Sequence, residues 1–166
     1  MLAWRLGISA ILVPALFGLF WLDHRSGASA WPLLGLCLFI AVRGLWELCD
    51  LLRVRNFAPS FPLTASLASA IVAAGWLAPM EGQPLKAVEL IAIVWEFSLL
   101  VLFFAAAVRY DAPGKAMENL GAEWLAVSYV GGLLALTAQC RWVAGAPLGY
   151  LVLGSLLVAT KGGDIG

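Results

Sequence analysis

Apolar residues form six long runs along the chain, and stretches rich in polar residues, proline and glycine separate them. The runs cover roughly residues 6–22, 30–45, 61–77, 87–108, 121–139 and 147–160. Several of them approach the ~20 residues that an α-helix needs to cross the roughly 30 Å hydrocarbon core of a bilayer. We therefore predict an all-α fold: a polytopic integral membrane helix bundle of about six transmembrane helices, forming a single transmembrane domain over residues 1–166.

Composition supports the membrane class and excludes others. Hydrophobic residues make up 63% of the chain, whereas soluble domains are nearer half apolar. Ten Lys and Arg residues balance ten Asp and Glu residues, so no basic field favours nucleic acid as a partner. Cys37, Cys49 and Cys140 show no CxxC spacing and are interpreted as small apolar filler, and His24 cannot form a histidine metal site alone.

The first apolar run has an alternative interpretation as a secretory signal peptide. Arg5 precedes residues 6–22, and Ala28-Ser29-Ala30 resembles a cleavage site. Asp23-His24-Arg25 is an unusually charged approach to such a site. Because five more apolar runs follow, we interpret residues 6–22 as a retained first span.

The distribution of basic residues predicts the orientation of the chain. With a cytoplasmic N-terminus and six spans, the inner segments carry most of the basic residues, as the positive-inside rule requires. The inner set is Arg5, Arg43, Arg53, Arg55, Arg109, Lys115 and Lys161, and the outer set is Arg25, Lys86 and Arg141. Both the N-terminus and the end of the sixth span are then cytoplasmic, which predicts a multi-pass protein of the inner (plasma) membrane.

The last apolar run, residues 147–160, leads into Lys161-Gly162-Gly163-Asp164. The run is short for a full crossing, so its helix either ends inside the membrane or continues past the glycines. Helical backbone can open at glycines, and exposed amides beside a lysine can hold phosphate. Mg²⁺ prefers one or two carboxylates together with substrate phosphates, so Asp164 is a candidate metal ligand. The alternative is a snorkelling lysine and a solvated aspartate that close a helix.

Acidic residues inside the predicted spans form the second candidate feature. They are Glu47, Glu89, Glu96 and Glu123. An acidic residue near mid-membrane costs about 2.5–3.5 kcal/mol on insertion scales, so each is expected to face protein or water. Glu96 is the deepest, and with Glu47 it either lines a polar cavity or pairs with a residue on another helix. Arg43 and Glu47 are spaced as an ion pair on one helical face.

Four segments together resemble the N-terminal part of the phosphatidate cytidylyltransferases, or CDP-diacylglycerol synthases. The segments, in chain order, are Trp4–Ile11, Gly44–Leu48 with Glu47, Tyr129–Gly131, and Gly163–Gly166 after an apolar helix. The chain stops before the alanine and tyrosine of the family's Asp-x-Gly-Ala-Tyr motif. It also lacks the later Lys- and Asp-rich signature, and Lys161-Gly162 departs from the family pattern.

The resemblance implies a reaction and its participants. Such enzymes transfer a cytidylyl group from CTP to phosphatidate, giving CDP-diacylglycerol and pyrophosphate, with Mg²⁺ as cofactor. Asp164 would be the catalytic and metal-binding residue, and Lys161, Gly162 and Gly163 would bind substrate phosphate. The chain would be the N-terminal portion of a longer enzyme that uses membrane lipid and, as one option, forms a homo-oligomer. The alternative function is a non-enzymatic membrane protein, such as a transporter half or an assembly scaffold.

Overall fold

The computed structural model describes the backbone of residues 2–83, 86–110, 114–143 and 146–165, and this part of the chain is helical without strands. The helices are α1 (Leu2–Arg25), α2 (Trp31–Val54), α3 (Phe61–Met80), α4 (Lys86–Val108), α5 (Ala116–Ala126), α6 (Leu133–Val143) and α7 (Ala146–Ile165). A π-helix, Val127–Gly132, joins α5 to α6, and a 3₁₀ turn, Gly27–Ser29, lies between α1 and α2. The predicted all-α class is confirmed.

Within the described residues, four helical segments are long and apolar enough to cross a membrane by length and composition. They are Trp31–Val54, Phe61–Pro79, Lys86–Val108 and the continuous segment Ala116–Trp142. A multi-pass membrane protein is therefore supported. The first and last predicted runs are also helical, as α1 and α7, but the count of six spans stays a prediction.

Several helix ends differ from the predicted boundaries because polar residues extend the helices. Asp23 and Arg141 were expected in turns, yet α1 continues to Arg25 and α6 to Val143. Both side chains are buried and bonded to other helices. A polar side chain can be buried within a helix when it has hydrogen-bond partners. The end of an apolar run therefore predicts the ends of α1 and α6 too early in the sequence.

Helix α3 forms the centre of the bundle and packs against α2, α4, α6 and the π-helix. Its small residues allow close approach, as expected for helices that associate inside lipid. Ala68, Ile71, Val72 and Trp76 are all buried. A Cβ atom built on Gly131 of the π-helix would lie 2.8 Å from the Cα atom of Ala68.

Substitution of Gly131 by alanine tests this close approach. The added methyl group meets backbone, which cannot move aside as a flexible side chain would, so we expect Gly131→Ala to lower the free energy of unfolding by about 1–3 kcal/mol. Gly35→Ala is the matched control, because Gly35 also lies inside a helix but has open space around it. Gly35→Ala should be neutral or stabilising by up to about 1 kcal/mol. Thermal unfolding in a constant detergent measures both, and equal effects would contradict the packing described.

Candidate functional site

Two polar clusters lie at opposite ends of the bundle. We name the ends by the predicted orientation: the inner end contains the 55–60 loop and the start of α5, and the outer end contains the α1–α2 turn and the end of α6. The outer cluster is Asp23, Arg141 and Tyr150. The inner cavity is lined by Ala58, Ala106, Arg109, Ala116, Asn119, Leu120 and Glu123.

The outer cluster is a buried ion pair with a tyrosine. Arg141 Nε donates to Asp23 Oδ2 at 2.6 Å, and the Tyr150 hydroxyl donates to the same oxygen at 2.7 Å. The other carboxylate oxygen of Asp23 accepts the backbone N–H of Leu33 at 3.1 Å. Asp23 is 0% exposed and Arg141 is 4% exposed. One carboxylate thus connects α1, α2, α6 and α7.

Arg141 has further partners that compensate the cost of its burial. One of its terminal nitrogens donates to the carbonyl of Gly27 at 2.7 Å. Its guanidinium carbon lies 5.1 Å from the ring centres of both Trp142 and Tyr150. Arginine is suited to such a site because its planar fork both pairs with carboxylates and stacks on aromatic rings. The cluster therefore holds its geometry tightly.

The outer cluster fixes the start of α7. Tyr150 binds Asp23, and Gly149 lies so close to α6 that an added Cβ atom would overlap the carbonyl of Arg141. Helices α6 and α7 pack side by side after a short connection, so they run antiparallel. Helix α7 rises about 28 Å from Ala146 to Ile165, and the segment beside it rises the same distance from Val143 back to Trp124. The backbone of residues 161–165 therefore reaches the depth of the inner end.

The inner cavity has a volume of about 220 Å³ and contains an ion pair. Arg109 donates from both terminal nitrogens to the two carboxylate oxygens of Glu123, at 3.3 Å each. Glu123 has a side chain 3% exposed, whereas that of Arg109 is 47% exposed. The Arg109 side chain is therefore about half exposed, while the carboxylate is enclosed.

The same carboxylate organises the loop that precedes α3. Glu123 Oε1 accepts the backbone N–H of Ser60 at 2.8 Å, and Asn119 Oδ1 accepts the backbone N–H of Ala58 at 3.0 Å. A negative charge beside a helix start is favourable because the helix dipole is positive there. Helix α5 thus holds the inner ends of α3 and α4 in place.

The segment predicted to bind metal and phosphate is helical. Helix α7 continues without interruption through Lys161, Gly162, Gly163 and Asp164 to Ile165. Of the two outcomes left open for this run, the helix continues past the glycines, and its backbone does not open at them. A continuous helix keeps glycine amides in the i→i−4 hydrogen-bond pattern. The side chains of Lys161 and Asp164 lie outside the described part of the structure, so their predicted roles stay predictions.

Glu47 and Glu96 lie on the outside of the bundle. Glu47 pairs with Arg43 at 3.1 Å, and both side chains are about half exposed or more, at 64% and 49%. Glu96 is exposed on α4. The inner cavity contains neither residue, and the structure does not bring them together with Glu123. Within the described residues, no group of three or more His, Cys, Asp or Glu side chains could hold a metal ion.

Sequence reasoning singled out Glu123 of the inner cavity but missed the outer cluster. Asp23 was considered only as a flank of the first run, and Tyr150 had no assigned role. The available signal was the position of Asp23 and Arg141 at the same predicted side, each next to the end of an apolar run. Opposite charges at one interface are candidates for pairing, but their partner choice depends on how the helices are arranged.

Comparison of this chain with protein-family models, with curated proteins and with solved structures finds no match. The resemblance to the cytidylyltransferases therefore stays a prediction from the motifs in the sequence.

Substitutions in the outer cluster should differ in their effect on stability. Asp23→Ala leaves the Arg141 charge buried without its carboxylate, so we expect a loss of about 3–5 kcal/mol. Tyr150→Phe removes one hydrogen bond to a charged group and should cost about 1.5–3 kcal/mol. Arg25→Ala is the control, because Arg25 is exposed and stacks on Trp21 at the surface. Thermal unfolding in lipid or detergent ranks the three, and an Asp23→Ala protein as stable as Arg25→Ala would refute this description.

Proposed function

We propose that this chain is the N-terminal segment of a CTP:phosphatidate cytidylyltransferase of the inner membrane, with six spans and both ends of the segment cytoplasmic. The observation that carries the proposal is the ordered set of family-like motifs, which finishes with Asp164 at the end of the last apolar helix. The direction of α7 supports it, because α6 and α7 are antiparallel and the α7 backbone ends at the depth of the inner cavity.

The proposed reaction suits a site at the inner surface. A phosphate oxygen of phosphatidate attacks the α-phosphorus of CTP, a new P–O bond forms, and the bond to pyrophosphate breaks. Both substrates are polyanions, so catalysis depends mainly on in-line positioning and on neutralisation of charge. Mg²⁺ would supply that neutralisation, with Asp164 as one ligand and Lys161 beside a substrate phosphate.

Basic residues near the predicted cytoplasmic surface support binding of anionic substrates. They are Arg53, Arg55, Arg109 and Lys115. Arg53 is paired with Asp50 at 3.0 Å, and the half-exposed Arg109 lines the inner cavity. Such charges attract anionic headgroups and nucleotides to the inner leaflet. The remaining metal ligands are proposed to come from sequence that follows Gly166.

A non-enzymatic role is the second candidate, and one observation favours it. Glu96 is exposed in the middle of a strongly apolar helix, and intramembrane acids of this kind occur in transporters and in assembled complexes. The coding sequence after Gly166 separates the two functions. Ala-Tyr followed by a cytoplasmic Lys- and Asp-rich stretch supports the enzyme, and its absence supports a transporter half or scaffold.

Activity assays test the enzymatic proposal. The 166-residue chain alone should form no CDP-diacylglycerol from CTP, phosphatidate and Mg²⁺, because a single candidate carboxylate cannot complete the metal site. In the full-length protein, Asp164→Asn should lower kcat on the order of 100-fold, through loss of electrostatic stabilisation.

Asp50→Asn in the full-length protein is the matched control. Asp50 is an exposed carboxylate whose partner is a neighbouring arginine on the same helix, so its neutralisation should leave kcat unchanged. Product formation by the 166-residue chain, or wild-type kcat in Asp164→Asn, would overturn the proposal.

A further inference from the structure

The lateral surface of the bundle, between its two ends, carries charged groups at the depth of the membrane centre. Arg43 lies on α2 with its side chain 49% exposed, and Glu96 is exposed on α4. The π-helix Val127–Gly132 lies in the middle of the candidate span Ala116–Trp142. Contacts between the π-helix and the neighbours of Arg43 and Glu96 show how deep these two charged residues lie along the bundle.

Arg43 lies at the level of the π-helix on one side of the bundle. Its neighbour Gly44 faces Val130, since a Cβ atom on Gly44 would lie 3.6 Å from Val130 Cγ1. Glu96 lies at the same level on α4. Its neighbour Trp95 donates from Nε1 to Ser128 Oγ at 2.9 Å, and its ring would lie 3.6 Å from a Cβ atom on Gly132. Arg43 and Glu96 thus share one depth in the bilayer.

Glu96 has no ion-pair partner among the described residues. A carboxylate at this depth on a lipid-facing surface is costly, and such residues are expected to pair with another group. Arg43 can provide that group, because a guanidinium has five N–H donors and only one of its nitrogens contacts Glu47, through one carboxylate oxygen. The two residues lie on different helices that are both packed against α3.

We propose that two copies of this chain associate in the membrane through α2 of one copy and α4 of the other, with Arg43 paired to Glu96 across the interface. The exposed large side chains around the two charges provide the apolar contact area. They are Phe39, Val42 and Trp46 on α2, and Ile93, Phe97 and Leu100 on α4. Arg43 then lies between Glu47 of its own copy and Glu96 of the second, so that Glu96 does not face lipid alone. This inference does not depend on the proposed catalytic function.

Charge exchange between copies tests the interface in the purified protein, labelled with donor or acceptor fluorophores and reconstituted in phosphatidylcholine vesicles. Arg43→Glu alone and Glu96→Arg alone should each self-associate at least about tenfold more weakly than wild type, because like charges then oppose each other. A mixture of the two variants should recover energy transfer to the wild-type level. In that mixture, each contact between the copies again joins a positive side chain to a negative one. One contact is the wild-type pair, and the other is the same pair with its charges exchanged.

Recovery on mixing excludes misfolding as the cause of the single-variant losses. Glu89→Gln is the matched control, since Glu89 lies about two helical turns earlier on α4 and is also exposed; its dimer should match wild type. The proposal is overturned if the wild-type protein is monomeric, if Glu96 binds a different polypeptide, or if mixing Arg43→Glu with Glu96→Arg restores nothing.

Discussion

The buried pair between Asp23 and Arg141 is the interaction on which the arrangement of the bundle depends. Asp23 accepts hydrogen bonds from α2, α6 and α7, and it belongs to α1 itself. Two charges removed from water gain stability only when their remaining hydrogen-bonding capacity is satisfied. That condition is met through Leu33, Tyr150 and the carbonyl of Gly27. The pair therefore favours one helix arrangement over others that would bury the same apolar area.

The geometry at the outer end has consequences for the inner end. Tyr150 and Gly149 hold the start of α7 against α6, and the helix then continues without interruption to Ile165. The ion pair of Arg109 with Glu123 does the same for α3, α4 and α5. Between these ends, the small residues of α3 and the π-helix allow the close packing that apolar side chains alone would not specify in lipid.

Hydrophobic patterning predicts the helices of this chain well, because a membrane span needs a long apolar run whatever its partners are. Each predicted run is helical in the described residues, and the fifth, residues 121–139, spans α5, the π-helix and α6. Helix ends are less predictable, since Asp23 and Arg141 stay helical through contacts with residues more than a hundred positions away. The sequence left open whether the last helix ends at Gly162-Gly163, because glycine permits a helix break without requiring one, and the helix continues through both. Glu96 was expected to face protein or water, but it is exposed on α4, because its place within an apolar run does not show which face of the helix packs.

The central claim is that the outer ion pair directs α7 so that residue 164 faces the same compartment as the start of α5. Cysteine accessibility in sealed vesicles of known orientation measures this directly, with Cys37, Cys49 and Cys140 replaced and single cysteines placed at positions 164, 115 and 26. A membrane-impermeant maleimide should label position 164 from the same side as position 115 and from the side opposite to position 26. Labelling of position 164 from the side of position 26 would contradict the claim.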